Sequence, residues 1–243
     1  MNVYLAGTSS RERLFKKHTP LYILESFFYV KPWQIKEMKK WKGFLLDSGA
    51  FTFMVNQKNK TNFDDYVEKY VQFINQHNIE RFFELDIDSV VGYERVKEYR
   101  AYIEQKTGKK CIPVWHKTRG MDDYLEMVKN YEYVAIGGIV TKEITRAQWR
   151  YFPYLIREAK KQKAKVHGLG FTATSELHKY PFDSIDSTSW LSASRFGTVQ
   201  TFSNGIIKTV KKPEGKKVKN YKILDDYVVG EWIKFQEYAD VYL

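Results

Sequence analysis

Short apolar runs recur along this chain, and most of them end alike, in small or polar residues. Phe44-Leu45-Leu46 runs into Asp47-Ser48-Gly49, and Phe82-Phe83-Glu84-Leu85-Asp86-Ile87-Asp88 runs into Ser89. Cys111-Ile112-Pro113-Val114-Trp115 ends at His116, and Tyr133-Val134-Ala135-Ile136 ends at Gly137-Gly138. Lys165-Val166-His167-Gly168-Leu169-Gly170 meets Phe171-Thr172, and Phe182-Asp183-Ser184-Ile185-Asp186 meets Ser187-Thr188-Ser189-Trp190. Continuous apolar runs of this length read as strands buried on both faces, which is the habit of parallel sheets. Strands are expected at 2–6, 21–29, 44–51, 82–88, 111–116, 133–139, 165–171 and 184–190.

Amphipathic stretches at 32–41, 62–77, 91–106, 121–130, 143–162 and 174–180 separate them and read as helices. Asn62 followed by Asp64 and Asp65 marks a capped start, and Pro153 predicts a kink or break within 143–162. Strand–helix alternation at this rate predicts a parallel sheet with helices outside it. About eight units fit into 243 residues, the typical size of a closed (β/α)8 barrel rather than an open doubly wound sheet. Residues 7–20 are short and basic, which makes the first two units the least regular. The tail departs from the pattern. Residues 198–210 read as a β-hairpin turning at Asn204-Gly205, and 224–241 as a helix packing Leu224, Tyr227, Val228, Trp232, Phe235 and Tyr238. No linker or composition shift divides the chain. It reads as one domain, with a barrel core over 1–197 and a hairpin and helix over 198–243.

In either architecture ligands bind where strands end, so the polar terminations describe one rim. Asp47 is out of place on a buried strand, because a charge taken out of water is costly unless paired. It reads either as a pocket-facing carboxylate or as an Asx-turn at a loop start. Asp86 and Asp186 are its counterparts. Paired carboxylates suit glycosyl chemistry, with one as nucleophile and the other as general acid/base. His116 reads as a ligand-binding or a core histidine. Gly137-Gly138 reads as a close backbone approach to a ligand or as a tight turn.

The net charge of +11 favours polyanionic partners, nucleic acid above all. Lysines that merely solvate helix faces explain 36–42 and 160–165 well. They explain less well the tract of Lys208, Lys211, Lys212, Lys216, Lys217, Lys219 and Lys222, which surrounds Pro213-Glu214-Gly215. The single cysteine, Cys111, excludes an intrachain disulfide and a cysteine-based zinc cluster, and it points to a reducing compartment. No apolar run approaches the ~20 residues of a transmembrane helix. The first residues carry no signal-peptide pattern, so a cytoplasmic setting is expected.

Taken in order, these motifs resemble the tRNA-guanine transglycosylases. Asp47-Ser48-Gly49-Ala50-Phe51 is similar to their Asp-Ser-Gly-Gly-Phe signature, and Tyr22 to Pro32 to their second strand and following turn. Leu85-Asp86 stands at the base-recognising Asp, and Pro113-Val114-Trp115-His116 at a strand ending in a base-binding Gln. Ala135-Ile136-Gly137-Gly138-Ile139 resembles a Gly-Gly-Leu strand, and Gly168-Leu169-Gly170 a Gly-Val-Gly segment. Phe182 to Gly197, with Asp186 and Arg195-Phe196-Gly197, resembles the segment of the nucleophilic Asp and a trailing Arg-Xaa-Gly. The resemblance spans roughly residues 2–205, and its weight lies in the ordered set. The chain departs from the family in having His116 for Gln and Ala50 for Gly, and no cysteine-based zinc subdomain. In these features and in Asp186-Ser187-Thr188-Ser189-Trp190 it is similar to the compact bacteriophage DNA deazaguanine transglycosylases.

The resemblance implies replacement of guanine in DNA by a 7-deazaguanine such as the 7-cyano form, without cofactor or metal. Asp186 would be the nucleophile, preferred over Asp183 on the spacing to Arg195 and Gly197, and Asp47 the general acid/base. Asp86, His116, Gly137, Gly138, Ser48 and Gly170 would bind the base. Arg195, Lys208, Lys211 and Lys212 would contact the nucleic acid. A homodimer is compatible with this reading. The competing expectations are the same exchange on tRNA, simple N-glycosidase chemistry, and a non-catalytic nucleic-acid-binding barrel.

Overall fold

Side chains alternate between the two faces of a strand, so a run that is apolar at every position needs cover on both sides. The computed structural model describes residues 1–49, 52, 61–210 and 220–243. It places seven such runs in one parallel sheet: β1 (Asn2–Ala6), β2 (Tyr22–Ser26), β3 (Gly43–Asp47), β4 (Val114–Trp115), β5 (Tyr133–Ile136), β6 (Lys165–Gly168) and β7 (Ser184–Ser187). Their order is β3-β2-β1-β7-β6-β5-β4. All but β1 are shorter than the runs that predict them, and most stop where the polar rim begins.

The sheet curls until its two edges are bridged. Leu46 on β3 pairs in parallel with Phe82, and Phe83 with Ile112 just ahead of β4. The Leu46 amide donates to Arg81 O at 3.0 Å and the Phe83 amide to Leu46 O at 3.0 Å. On the other side the Ile112 amide donates to Phe82 O at 2.8 Å, and the Glu84 amide to Ile112 O at 3.1 Å.

The alternation then sorts the core. Tyr4, Ala6, Tyr22, Leu24, Leu45, Phe83, Ile112, Val114 and Ala135 share the concave face. Val3, Leu5, Ile23, Val134, Ile136, Val166 and Ile185 face the surrounding helices. Leu46, Phe82 and Leu85 pack under the helices Phe63–His77 and Tyr93–Thr107. Asn62 caps the first of these, its side chain accepting from the Asp64 and Asp65 amides.

Several expectations change. The run 82–88 is not a full strand: it joins the sheet only at Phe82 and Phe83, and Asp88–Val91 is a short helix. The stretch 143–162 is not one kinked helix. A 3-10 turn over Arg146–Tyr151 leads into an α-helix over Phe152–Lys161, with Pro153 in its first turn. There the missing N–H costs nothing, so proline marks a boundary rather than a break. In the tail, β8 (Val199–Ser203) and β9 (Ile206–Val210) pair antiparallel. Asn204 and Gly205 both take positive φ (52° and 79°), as a type I′ turn requires. The helix Tyr221–Tyr242 packs Val228, Val229, Trp232, Phe235 and Ala239 inward. Tyr227 instead stays exposed and hydrogen-bonds Thr201 at 3.1 Å. Among the described residues no helix is long and apolar enough to cross a membrane.

Candidate active site

Asp47 terminates β3, with Ser26 of β2 as its register partner. It lies on the concave face, one rung beyond Leu45. Its Oδ2 accepts from the Gly49 amide at 3.1 Å, so the Asx-turn read from the sequence is present. Gly49 takes φ +83°, and a Cβ there would lie 2.9 Å from both Ser26 Oγ and the Tyr66 hydroxyl. The Tyr66 hydroxyl donates to the carbonyl of buried Ser48 at 2.7 Å. The turn does not exhaust Asp47. Burial, then the charge of Asp86, and further the charges of Asp186 and Glu25 push its carboxyl up to about 7, against the opposing Gly49 hydrogen bond. Asp47, Asp86 and Asp186 therefore share one electrostatic site.

This has a measurable consequence. The folded chain holds the Asp47 proton up to about pH 7, whereas an unfolded aspartate releases it near about pH 4. The folded state binds the extra proton between these values, so the contribution is full below about pH 4 and is lost as pH rises through about 7. Asp47→Asn removes that loss. The variant is expected to gain stability over wild type in urea titrations at about pH 8 and little at about pH 4. A gain independent of pH would refute the assignment.

Asp86 is buried beside His116, with Oδ2 at 3.4 Å from Nε2. The other ring nitrogen, Nδ1, lies 3.0 Å from Glu143 Oε2. Glu143 Oε1 in turn accepts from the Thr118 amide at 3.0 Å. Burial pushes the His116 imidazolium down, but the hydrogen bond and charge of Asp86 and the hydrogen bond of Glu143 outweigh it and raise the ring to about 9. His116 is therefore a donor at both nitrogens near neutrality.

Gly137 and Gly138 serve this pair. A Cβ on Gly137 would lie 2.9 Å from His116 Cε1, and one on Gly138 would lie 3.0 Å from Glu143 Oε2. The Gly137 amide already donates to Trp115 O at 2.9 Å, so it is committed to the sheet rather than offered to a ligand.

Beneath Asp86, Glu84 is fully buried and accepts from Arg100 Nε at 2.6 Å, Arg119 Nη1 at 3.1 Å and the Val114 amide at 2.8 Å. Arg119 also pairs with Asp88 through two bonds of 2.6 and 2.5 Å, and its guanidinium lies 4.1 Å over the Tyr93 ring. The segment carrying Asp86 is thus clamped at residues 84 and 88.

Across the cup, Asp186 is buried on β7. Its Oδ1 accepts from the Gly170 amide at 2.5 Å and lies 3.2 Å from Nε2 of fully buried His167. Gly170 takes φ +71°, and a Cβ there would collide with Val140. The alternative nucleophile, Asp183, precedes the other end of β7. Its Oδ2 accepts from the Val166 amide at 2.8 Å, remote from the strand ends that carry the rim.

The residues expected to contact nucleic acid do not join this cluster. Arg195 is exposed on the short helix Ser192–Phe196, and Lys208 is exposed on β9. Lys211, Lys212, Ala50 and Phe51 lie outside the described residues. Among the described residues no group of three or more His, Cys, Asp or Glu side chains could hold a metal ion. Sequence reading missed Glu143, Glu84, Arg119 and His167. A signal existed for His167 and Glu84, each a polar residue inside an apolar strand run. None existed for Glu143, which lies in an irregular loop.

No protein-family model matches the chain, and no curated protein matches it in sequence. Among solved structures the chain is similar to the HpcH/HpaI aldolase from Desulfitobacterium hafniense DCB-2. The identity is 8%, with 81% of this chain and 89% of that one covered, at a TM-score of 0.49.

Proposed function

We propose that the chain is a zinc-free base-exchange enzyme of the tRNA-guanine transglycosylase type, acting on DNA in the manner of the compact phage enzymes. In this reading the curled sheet, with the 82–83 bridge as its eighth strand, is a (β/α)8 barrel, and the whole chain forms one domain. The observation that carries the proposal is a pair of carboxyls facing one cup from different environments. Asp186 serves as hydrogen-bond acceptor to two groups, while Asp47 is pushed up to about 7 and can carry a proton at neutrality.

The chemistry balances over two displacements. A lone pair of the Asp186 carboxylate forms a bond to C1′ of the deoxyribose, and the C1′–N9 pair leaves on guanine, which takes a proton from Asp47. The incoming 7-deazaguanine then gives its N9 proton to Asp47, attacks C1′ and releases Asp186. Asp86 accepts from the N1–H and amino group of the base, and His116, whose two N–H groups meet Asp86 and Glu143, orients Asp86 for it. Guanine in duplex must first be extruded, at a cost of a few kcal/mol. The charges of Arg195 and of the lysine-rich stretch 208–222 supply affinity for the strand.

Mass spectrometry of nucleosides decides between the readings. DNA incubated with the protein and 7-cyano-7-deazaguanine is expected to gain the modified nucleoside and release guanine in equal amount. Release of base without incorporation would make the protein a glycosidase. Incorporation into tRNA alone would move the substrate, and neither event would sink the enzymatic reading.

A further inference from the structure

His167 has no part in the chemistry above, yet it is fully buried directly beneath Asp186. Its ring packs against Phe83 and Tyr4, with centroids at 5.3 and 6.1 Å. A polar ring in such a box is costly unless both nitrogens are hydrogen-bonded. Both are. Nε2 lies 3.2 Å from Asp186 Oδ1, and Nδ1 lies 2.6 Å from the hydroxyl of Ser184, which in turn meets the Tyr133 hydroxyl.

The direction of this chain follows from its upper end. A carboxylate only accepts, so the ring must place hydrogen on Nε2. On a neutral ring Nδ1 is then the acceptor for the Ser184 O–H, and Ser184 oxygen accepts from Tyr133. Oδ1 of Asp186 thereby receives two donors, the Gly170 amide and His167 Nε2. No protein donor to Oδ2 is recorded among the described residues.

We propose that His167 is a positioning residue that assigns the two oxygens of Asp186 different roles: Oδ1 is held, and Oδ2 is the attacking atom. This rests on the transglycosylase reading. When Oδ2 forms its bond to C1′ and the C1′–N9 pair departs on the base protonated by Asp47, Oδ1 becomes the ester carbonyl. The Gly170 and His167 N–H groups remain on it throughout, and His167 neither gives up nor takes a proton. The second displacement returns the carboxylate to the same two donors.

Two measurements test this. In 15N-labelled protein, imidazole correlations assigned with His167→Gln are expected to show hydrogen on Nε2. A bare Nε2 would overturn the proposal, whether or not the protein exchanges bases. In the exchange assay, His167→Leu is expected to lower kcat ~100-fold with KM for DNA and base little changed, the usual scale for a misplaced reacting group. His167→Gln, whose amide N–H replaces Nε2–H, is expected to recover most of that rate. An unchanged kcat in the leucine variant, or equal losses in both variants at matched melting temperature, would overturn the proposal. Should the leucine variant fail to fold, the glutamine variant and the wild-type tautomer decide. A wild-type protein without exchange activity refutes the transglycosylase reading, and with it the assignment of an attacking oxygen. The hydrogen-bond direction then still stands or falls by the tautomer.

Discussion

If the proposed base exchange holds, Asp186→Ala is expected to abolish it and to remove the covalent protein–DNA adduct expected of wild type under denaturing conditions. The substitution deletes the only protein atoms that bond to C1′ in the proposed mechanism, so the loss should be on the order of 10⁴-fold or more, as for other deleted nucleophiles. The fold should survive it. Asp186 leaves two donors behind, the Gly170 amide and His167 Nε2, at a cost of about 1–3 kcal/mol for each that stays buried and unpaired. Circular dichroism and a urea titration separate loss of chemistry from loss of structure. Asp183→Ala supplies the contrast, because that carboxylate caps the Val166 amide away from the rim and its variant should still form the adduct. Full exchange by folded Asp186→Ala would end the covalent mechanism.

Glu84→Ala is expected to cost about 3–5 kcal/mol of stability. Two buried guanidiniums converge on this carboxylate, Arg100 at 2.6 Å and Arg119 at 3.1 Å, together with the Val114 amide. Breaking the cluster leaves the charges of Arg100 and Arg119 with little to balance them on that side. Asp88 still holds Arg119, which keeps the loss below that of a fully orphaned pair. Glu84→Gln keeps the shape and one acceptor and should cost less. Unfolding free energies from urea titration measure both. A loss below about 1 kcal/mol in the alanine variant would show that the cluster is not a clamp. Because residue 84 anchors the segment that presents Asp86, the folded fraction of Glu84→Ala should also bind base more weakly.

Much of the frame is legible because it depends on local spacing. Leu45 and Leu46 flank opposite faces of one strand, and both faces are buried, as an uninterrupted apolar run requires. Asn62 caps its helix, and Asn204-Gly205 turns its hairpin, for reasons contained within four residues of chain. Pro153 was legible as punctuation but not as to its side of the boundary, since a helix start and a helix break both tolerate it. Gly137-Gly138 was legible as a close approach. In the folded chain the His116 ring approaches Gly137 and the Glu143 carboxylate approaches Gly138, and only packing reveals that.

The sequence by itself determined the alternation of strand and helix, the parallel sheet that follows from it, and the strand ends where chemistry collects. Period-2 burial and capping act over a few residues, so their signals are written contiguously. Only the tertiary structure decided the partners within the rim. Glu143 meets His116 across 27 residues, His167 meets Asp186 across 19, and Arg119 meets Glu84 across 35. These contacts form because neighbouring strands and loops are brought side by side when the sheet curls. A carboxylate's protonation depends on that company: Asp47 is set near neutrality by burial first and then by the charges of Asp86, Asp186 and Glu25, none of them its neighbour in the chain.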